Sequence, residues 1–291
     1  MLITIFTPTF NRAYTLSYLY KSLLDLTNVA FEWLIVDDGS IDNTEELINE
    51  YIKEGRLNIR YIKNKNSGKH IAINKGVDLA RGELFFIVDS DDVLPEKSLQ
   101  IIVNNYQFIK ENNKIAGLAG RRGDKQGNVI GDNKEYHKLI CSALDFRFKK
   151  KIKGDMAEVF KTKILKKYMF PQFEGENFCT EALIWNRIAK DYDMLWINEI
   201  IYTGEYLSDG LSANVFKIRK NSPIATTLFY SELSMQQIPF IQKIKAVSNY
   251  WRFSVYLNKS LKDKIKEVSL VKSVISLPLI FILLFIDNIR K

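Results

Sequence analysis

Histidine and cysteine are scarce in this sequence, with two of each among 291 residues. Cys141 and Cys179 lie 38 positions apart and show no CxxC or CxxH spacing, so they predict neither a zinc site nor a disulfide framework. Two reduced, buried thiols are the simpler interpretation. With His70 and His137 as the only histidines, a histidine-based metal site or a Ser-His-Asp triad has little to draw on.

The sequence also lacks the marks of a secretory signal peptide. The first six residues, MLITIF, contain no basic segment and no small-residue cleavage site, and we expect a first strand there. Unpaired cysteines fit a reducing compartment. We therefore expect a cytoplasmic protein.

Net positive charge is concentrated at the C-terminal end of the chain. The formal net charge is +8, yet residues 217–291 hold thirteen Lys/Arg and four Asp/Glu, so the other 216 residues sum to −1. Proteins that bind nucleic acid carry their basic residues at the working surface. Here the first 216 residues are near neutral, so we expect no nucleic-acid partner, and the basic tail fits an anionic lipid surface better.

Alternating periodicities predict an α/β fold. Short apolar, β-branched runs predict strands at residues 2–7, 31–36, 57–62 and 84–88. Helical spacing, a capping box at Asp42 and a first-turn Pro95 predict helices at residues 14–26, 42–53, 68–80 and 95–111. This order predicts a mostly parallel, Rossmann-like sheet with helices on both faces.

The second half of the chain is less regular. Residues 115–119 and 128–130 predict a hairpin, residues 180–190 a helix and residues 196–202 a strand. After about residue 215 the pattern becomes helical, with no glycine beyond Gly210. We expect a catalytic domain over residues 1–215 and a basic helical region over residues 216–291.

Three polar clusters follow predicted strands, at residues 8–12, 37–40 and 89–92. The carboxyl ends of parallel strands meet at one edge of a sheet, where α/β proteins bind ligands. The cluster Asp89-Ser90-Asp91-Asp92 places three carboxylates within four residues, a repulsion that a cation relieves. Carboxylate oxygens suit Mg²⁺ or Mn²⁺ completed by a diphosphate. The alternative is an acidic cap before Pro95.

Two further segments suit a nucleotide. Asp37-Asp38-Gly39-Ser40 offers carboxylates to a base or ribose, and Lys69 precedes a helix whose N-terminus would favour a phosphate. Both segments also read as ordinary glycine-containing turns. No Walker-type GKS or GKT is present, so a P-loop is not supported.

Taken in order, these segments resemble the family 2 glycosyltransferases with the GT-A fold. The resemblance rests on the stretches ITIFTPTFNRAYTL, WLIVDDGSIDNT, NKNSGKHIAINKGVDLARGELFFIVDSDDVLP and, more weakly, ENFCTEALIWNRIAK. It is strong over residues 2–100 and weaker to about residue 213. It implies a transferase that uses a nucleotide-sugar donor and a divalent metal, Mn²⁺ or Mg²⁺.

The resemblance also implies roles for individual residues. Pro8, Thr9 and Phe10 match the loop that cradles the nucleobase. Asp38, with Asp37 beside it, matches the carboxylate that reads a uracil-like ring, and Lys69 stands near the diphosphate. Asp89 and Asp91 match the DXD element that contacts ribose and the metal-bound diphosphate. Ser90 between them belongs to the donor site, and Asp92 is a further candidate metal ligand.

The catalytic base is expected at the start of the helix in CTEALIWNR. Relatives carry a Glu-Asp pair there, whereas this chain has Thr180 and Glu181. Glu181 is the expected base, with Glu176 and Glu174 as alternatives. The non-catalytic interpretation is that Glu181 is a first-turn residue favoured by the helix dipole. One base and direct displacement imply inversion. Relatives often have a mobile loop near residues 206–212, sometimes with a His, for which Asp209 or Tyr206 would be the substitutes here. A plain surface turn is the favoured interpretation of this segment.

The tail combines lysines with an apolar segment. Residues 268–287 are the most apolar stretch, but their uninterrupted core, residues 277–286, is short of the ~20 residues that span a bilayer. Four lysines, at positions 259, 262, 264 and 266, precede it. This pattern predicts an interfacial anchor at the inner face of the membrane; the alternative is a helix packed on the protein or in a dimer.

The sequence thus predicts a transferase acting from a UDP-sugar on a glycan or lipid-linked acceptor, in bacterial surface polysaccharide or glycolipid assembly. Two alternatives remain: a non-catalytic binding protein of the same fold, and a nucleotidyltransferase. The nucleotidyltransferase is disfavoured because residues 8–12 lack the glycine-rich basic loop that would hold a triphosphate.

Overall fold

The chain folds around one eight-stranded mixed sheet with helices on both faces. The computed structural model describes residues 2–26, 29–132, 134–204 and 214–289. The strands are β1 (Ile3–Thr9), β2 (Phe31–Asp37), β3 (Ile59–Lys63), β4 (Leu84–Ile87), β5 (Ile115–Gly123), β6 (Lys138–Cys141), β7 (Met156–Lys161) and β8 (Asp193–Thr203). Their order across the sheet is β3-β2-β1-β4-β7-β5-β8-β6. The predicted fold class is confirmed.

Eleven α-helices lie in the described part of the chain. Those before the tail are α1 (Ala13–Leu24), α2 (Thr44–Glu54), α3 (Lys69–Leu79), α4 (Ser98–Tyr106), α5 (Thr162–Leu165) and α6 (Ala182–Asp191). The tail contributes α7 (Val215–Asn221), α8 (Pro223–Met235), α9 (Phe240–Ser254), α10 (Leu261–Val268) and α11 (Leu270–Ile289). A π-helical turn spans Asp145–Lys149.

The first four strands are parallel, as predicted. β1 pairs with β2 and β4, and β2 pairs with β3. Thr9 at the end of β1 lies opposite Asp37 at the end of β2, which lies opposite Lys63. Neighbouring β1 residues enter different cores, Ile5 on one side of the sheet and Phe6 on the other. Burial on both faces explains the continuous apolar runs that identify these strands.

The other half of the sheet departs from expectation. β7, which the sequence pattern did not predict, runs antiparallel between β4 and β5. Residues 115–119 extend into a longer β5, and the expected hairpin is reduced to a single bridge between Gly123 and Val129. β7 was missed because it carries Glu158 and Lys161 among its apolar residues and follows a lysine-rich loop.

Two helix starts were predicted wrongly. The helix expected from Pro95 begins at Ser98, whose N–H bonds the Pro95 carbonyl. Asp42 is not the cap of a capping box, because α2 begins after Asn43. Instead, the Asp42 carboxylate accepts hydrogen bonds from the N–H groups of Thr44 and of Ala13, joining α2 to the start of α1.

The tail helices share a core with the sheet. One buried apolar cluster reaches from Phe6 in β1 to Phe253 in α9 and Val268 in α10. Arg187 in α6 forms two hydrogen bonds, of 3.0 and 2.6 Å, with Glu232 in α8. The two regions predicted on either side of residue 215 are therefore packed together through both apolar and ionic contacts.

Helix α11 is longer than the uninterrupted apolar core, residues 277–286, that the sequence shows. Its 18-residue stretch Leu270–Asp287 has a mean hydropathy of 2.2 and is 22% buried, so by length and composition alone it could cross a membrane. The prediction that residues 277–286 are too short to span a bilayer is corrected, because the apolar helix extends beyond this core, through Lys272, to Leu270. Trp251 of α9 donates a hydrogen bond to Ser273, and Arg252 is paired with Asp287.

Glu176 supplies a test of how the tail is attached. Its carboxylate accepts hydrogen bonds of 2.6 and 2.8 Å from the N–H groups of Ile224 and Ala225 in the first turn of α8. Glu176→Ala should lower the free energy of unfolding by about 1–3 kcal/mol, because two buried donors lose their partner. Urea denaturation measures this effect. Glu174→Ala, on the exposed part of the same loop, is the control; equal stabilities for the two variants would refute the assignment.

Candidate active site

The three predicted polar clusters meet at the carboxyl edge of the parallel strands. Asp38 connects two of the segments involved. Its Oδ1 and Oδ2 accept hydrogen bonds of 2.8 Å from the N–H groups of Ser67 and Gly68, the residues before α3. Burial raises the pKa of Asp38 despite these bonds. Asp38 therefore fixes the loop that leads into Lys69.

Asp37 lies deeper and holds the turn that follows β2. It is fully buried; its Oδ1 accepts from the Ser40 N–H at 2.7 Å and its Oδ2 from the Tyr61 hydroxyl at 2.6 Å. Gly39, at a φ of 89°, allows this turn, since a Cβ there would lie 2.9 Å from the Asn66 nitrogen. The structure thus places Asp37 in support of Asp38 rather than at a surface.

Gly68 lets the start of α3 approach the loop before α6. Its φ is 94°, and a Cβ at this position would lie 2.0 Å from the Asn177 carbonyl oxygen. An L-residue with a side chain would be both strained and in collision there. This contact brings Lys69 next to Glu181, although 112 residues separate them in sequence.

Lys69 joins the two carboxylates that were predicted to carry the chemistry. Its Nζ lies 2.7 Å from Asp89 Oδ1 and 2.8 Å from Glu181 Oε1. Burial alone lowers the pKa of an ammonium, but the charges of Asp89 and Glu181 outweigh it and raise the pKa of Lys69. Burial would raise the pKa of Asp89, and Lys69 in turn lowers it. Lys69 and Asp89 are thus held charged.

Asp91 and Asp92, next to Asp89, have different surroundings. Asp91 is half-buried, and burial together with the charge of Asp89 raises its pKa. Asp92 Oδ2 is 2.8 Å from Arg122 Nη2 and accepts a 2.6 Å hydrogen bond from Tyr202. Burial raises the pKa of Asp92 to about 6, although Arg122 opposes the shift. One oxygen of Asp92 is therefore already engaged.

The remaining donor-site predictions lie at the end of β1 and beside the acidic cluster. Thr9 is buried, and its Oγ1 has no hydrogen-bond partner among the described residues. Phe10 is 45% exposed, whereas Pro8 and Ser90 are buried. The exposed aromatic ring at the end of a rigid strand suits contact with a flat base, and the buried residues shape the backbone beneath it.

The alternatives to Glu181 stand elsewhere. Glu176 caps α8, and Glu174 is exposed; neither lines the cavity described next. Tyr206 and Asp209 fall outside the described residues. Glu181 itself lies at the start of α6 with its side chain about one third exposed and bonded to no backbone N–H of its helix.

A cavity of about 620 Å³ opens beside these groups. Its polar lining includes Lys69, His70, Asp89, Arg122, Arg147, Asp155, Glu158, Asn177 and Glu181, and its apolar lining includes Phe160, Trp185, Trp196 and Phe229. Such a volume fits a ligand of nucleotide-sugar size. The cavity brings Asp89 of the acidic cluster, the expected base Glu181 and the cationic Lys69 to one solvent-accessible place.

Comparison with known proteins identifies the family. Residues 4–166 match the family model described as Glycosyl transferase family 2. The chain belongs to this family. The predicted glycosyltransferase class is thereby confirmed.

Two curated relatives of this glycosyltransferase carry names that state a biosynthetic role or a substrate. It is 24% identical over 268 residues to TuaG of Bacillus subtilis, a glycosyltransferase named for teichuronic acid biosynthesis, covering 91% of this chain and 98% of TuaG. It is 26% identical over 273 residues to the Campylobacter jejuni GalNAc(5)-diNAcBac-PP-undecaprenol beta-1,3-glucosyltransferase, covering 90% and 84% of the two chains.

Two solved structures show the same fold as this glycosyltransferase. The crystal structure of S. aureus TarS 1-349 in complex with UDP-GlcNAc has a TM-score of 0.63 at 17% identity and covers 92% of this chain and 82% of that one. The mannosyltransferase from Pyrobaculum calidifontis in complex with GDP-Man and Mn²⁺ has a TM-score of 0.59 at 13% identity, covering 99% and 86%.

A divalent metal fits the glycosyltransferase site only if the donor supplies ligands. No group of three or more His, Cys, Asp or Glu able to hold a metal is found in the part of the chain that the structure describes. Asp91 has a raised pKa beside Asp89, and a buried oxygen of Asp92 lacks a partner among the described residues. These hard oxygens suit Mg²⁺ or Mn²⁺ together with diphosphate oxygens.

Several residues of the glycosyltransferase site were not anticipated. Arg122 and Tyr202 come from β5 and β8 and hold Asp92; the Arg122 guanidinium lies 4.3 Å from the centre of the Tyr202 ring. Burial lowers the pKa of His70 to about 4, so this cavity histidine is neutral at pH 7. Glu158 enters from β7. The strand that carries Arg122 was predicted too short to include it, and the strand that carries Glu158 was not predicted. The sequence pattern therefore placed neither residue in the site.

Proposed function

We propose that this protein is a metal-dependent, inverting glycosyltransferase that moves a sugar from a UDP-sugar to an acceptor hydroxyl. The observation that carries the proposal is the pair of contacts from Lys69 to Asp89 and Glu181. One cation joins the carboxylate expected at the donor diphosphate to the carboxylate expected at the acceptor. In a site of this kind, the carboxylate that binds the donor diphosphate and the carboxylate that activates the acceptor both lie within reach of one bound donor.

The donor end is assigned to the acidic cluster and its neighbours. Asp89 and Asp91 would hold Mn²⁺ or Mg²⁺ together with the diphosphate. Asp92, which is paired with Arg122, is a further candidate ligand. When bound, the metal supplies a positive charge that favours departure of the diphosphate. Lys69, at the N-terminus of α3, adds a second positive charge at the same place. Asp38, Pro8, Thr9 and Phe10 are assigned to the nucleobase.

The acceptor end is assigned to Glu181. Its carboxylate accepts the proton of the acceptor hydroxyl while that oxygen attacks the anomeric carbon. The bond from the anomeric carbon to the diphosphate oxygen breaks, and UDP leaves with the electron pair. Attack from the face opposite the leaving group inverts the anomeric centre. Lys69 Nζ lies 2.8 Å from Glu181 Oε1 and places a positive charge beside this carboxylate.

Two substitutions separate donor binding from turnover. Glu181→Gln should leave UDP binding within about twofold but slow UDP release from a UDP-sugar by about 10²–10⁴-fold, because an amide cannot accept the proton. Asp91→Asn should weaken Mn²⁺-supported UDP binding by more than about tenfold. Calorimetry and a UDP-release assay measure the two effects.

Glu174→Gln, an exposed glutamate on the loop before α6, is the matched control and should behave as the wild type. Near-normal turnover of Glu181→Gln would show that the base is another group. A wild-type protein that binds UDP but never releases it from any UDP-sugar would favour the non-catalytic alternative.

The acceptor is proposed to be a growing surface glycan or its lipid-linked precursor. Support comes from the relatives, which include one named for teichuronic acid biosynthesis and one acting on an undecaprenol-linked glycan. A lipid-linked acceptor is confined to a membrane. The tail of this chain offers a surface that fits the same place.

We propose that α11 lies on the membrane surface at the inner face of the cell membrane rather than crossing it. Ser273, Ser276 and Asp287 face the protein and are buried. Phe281 and Phe285 are 68% and 66% exposed on the other side. The contacts of Ser273 and Asp287 with α9 hold the helix along the protein. The net charge of +9 over residues 217–291 favours anionic lipid.

The membrane proposal predicts binding to vesicles. The full chain should co-sediment with phosphatidylcholine vesicles that contain phosphatidylglycerol, and less with phosphatidylcholine alone. Phe281→Ser with Phe285→Ser should lower the partition coefficient by at least about tenfold, because two aromatic rings no longer enter the bilayer. Phe108→Ser, at a 74% exposed position outside the tail, is the control. Equal binding of both variants would contradict the assignment.

A further inference from the structure

Strand β7 directs one carboxylate into the cavity. Side chains of a strand alternate between the two faces of a sheet. Ala157 and Val159 pack in one core, whereas Met156 and Phe160 pack in the other, on the side of the cavity. Glu158 lies between these last two and lines the cavity with them. It is the acidic residue of β7 and has no role in the reaction described above.

Glu158 differs from Asp89 and Glu181, which line the same cavity, because no cation is bonded to it. Asp89 and Glu181 are both bound by Lys69. Among the described residues, Glu158 forms no ion pair and no hydrogen bond with another side chain. Burial raises its pKa to about 7, although the charge of Arg147 opposes this. A partly buried carboxylate that no neighbouring side chain pairs with is costly to keep there, and hydroxyl groups of a ligand would offset that cost.

The neighbours of Glu158 complete a polar and aromatic lining. Arg147, on the π-helical turn, lines the same cavity and donates to the Gly154 carbonyl, which uses one of its five N–H donors. Trp185 of α6 also lines the cavity, and its ring centre is 4.5 Å from that of Phe160. A carboxylate that accepts, a guanidinium that donates and an indole that packs on C–H groups match the surface of a pyranose ring.

We propose that Glu158, Arg147 and Trp185 form the subsite that binds the hydroxyl groups of the transferred sugar. This subsite rests on the proposed function, because it assumes a UDP-sugar at Asp89 and Lys69. It gives the chain a means of choosing among sugars with the same nucleotide.

The position of Glu158 favours the donor sugar over the acceptor. Val159 pairs with Phe86 of β4, so Glu158 lies beside the end of the strand that leads to Asp89. Adjacent strands are about 4.8 Å apart. The sugar is bonded directly to the diphosphate, and it must therefore lie within a few ångströms of Asp89. The space next to that residue on the cavity side is bounded by Glu158.

The test compares a nucleotide with its sugar conjugates. Calorimetry in Mn²⁺ measures the binding of UDP, UDP-glucose, UDP-galactose and UDP-GlcNAc to the full chain. Glu158→Gln should bind UDP as the wild type does, within about twofold. It should lose about tenfold or more of its affinity for the UDP-sugar that the wild type binds best, because the amide replaces one of the two carboxyl oxygens with an NH₂ group that cannot accept a hydrogen bond. Glu199→Gln, an exposed glutamate on β8, is the control.

Each outcome has a distinct meaning. Unchanged UDP binding with weakened UDP-sugar binding supports the subsite and shows that the variant is folded. An equal loss for UDP and UDP-sugar would assign Glu158 a structural role and overturn the proposal. Unchanged UDP-sugar binding with slower UDP release would place Glu158 at the acceptor and also overturn it. A wild-type protein that binds no UDP compound refutes the proposed function itself.

Discussion

The ion pairs of Lys69 with Asp89 and Glu181 are the contacts on which the rest of the site depends. They join three segments that are far apart in sequence: the start of α3, the end of β4 and the start of α6. Buried charges are tolerated only when they are paired. The supporting features serve this pairing: Asp38 fixes the loop before Lys69, and Gly68 allows that loop to touch Asn177.

The sequence predicted most of the fold's first half because β1, β2 and β4 are buried on both faces and are rich in apolar and β-branched residues. It also predicted which carboxylates converge, since the ends of parallel strands must meet at one edge. It missed β7, whose apolar residues are interrupted by Glu158 and Lys161. Arg122 and Glu158 could not be predicted as site residues from the sequence. The antiparallel pairing of β7 with β5 brings them to the cavity.

The tail illustrates a different limit of sequence reading. The length of the uninterrupted apolar run underestimates the length of α11. The helix includes Lys272 and Pro278, and neither residue ends it. The buried face of this helix is marked by serines and Asp287, and its exposed face is apolar. This arrangement reverses the usual one for a surface helix. Only contacts with α9, such as Trp251 with Ser273, show which face is covered.

We propose that the carboxyl edge of the sheet binds a nucleotide diphosphate together with a divalent metal. Calorimetric titration of UDP, GDP and dTDP into the full chain, with and without Mn²⁺, is the measurement to make first. We expect UDP to bind, and omission of Mn²⁺ to weaken its binding by more than about tenfold. Equal binding with and without Mn²⁺, or no binding of any of the three nucleotides to a folded protein, would refute this assignment.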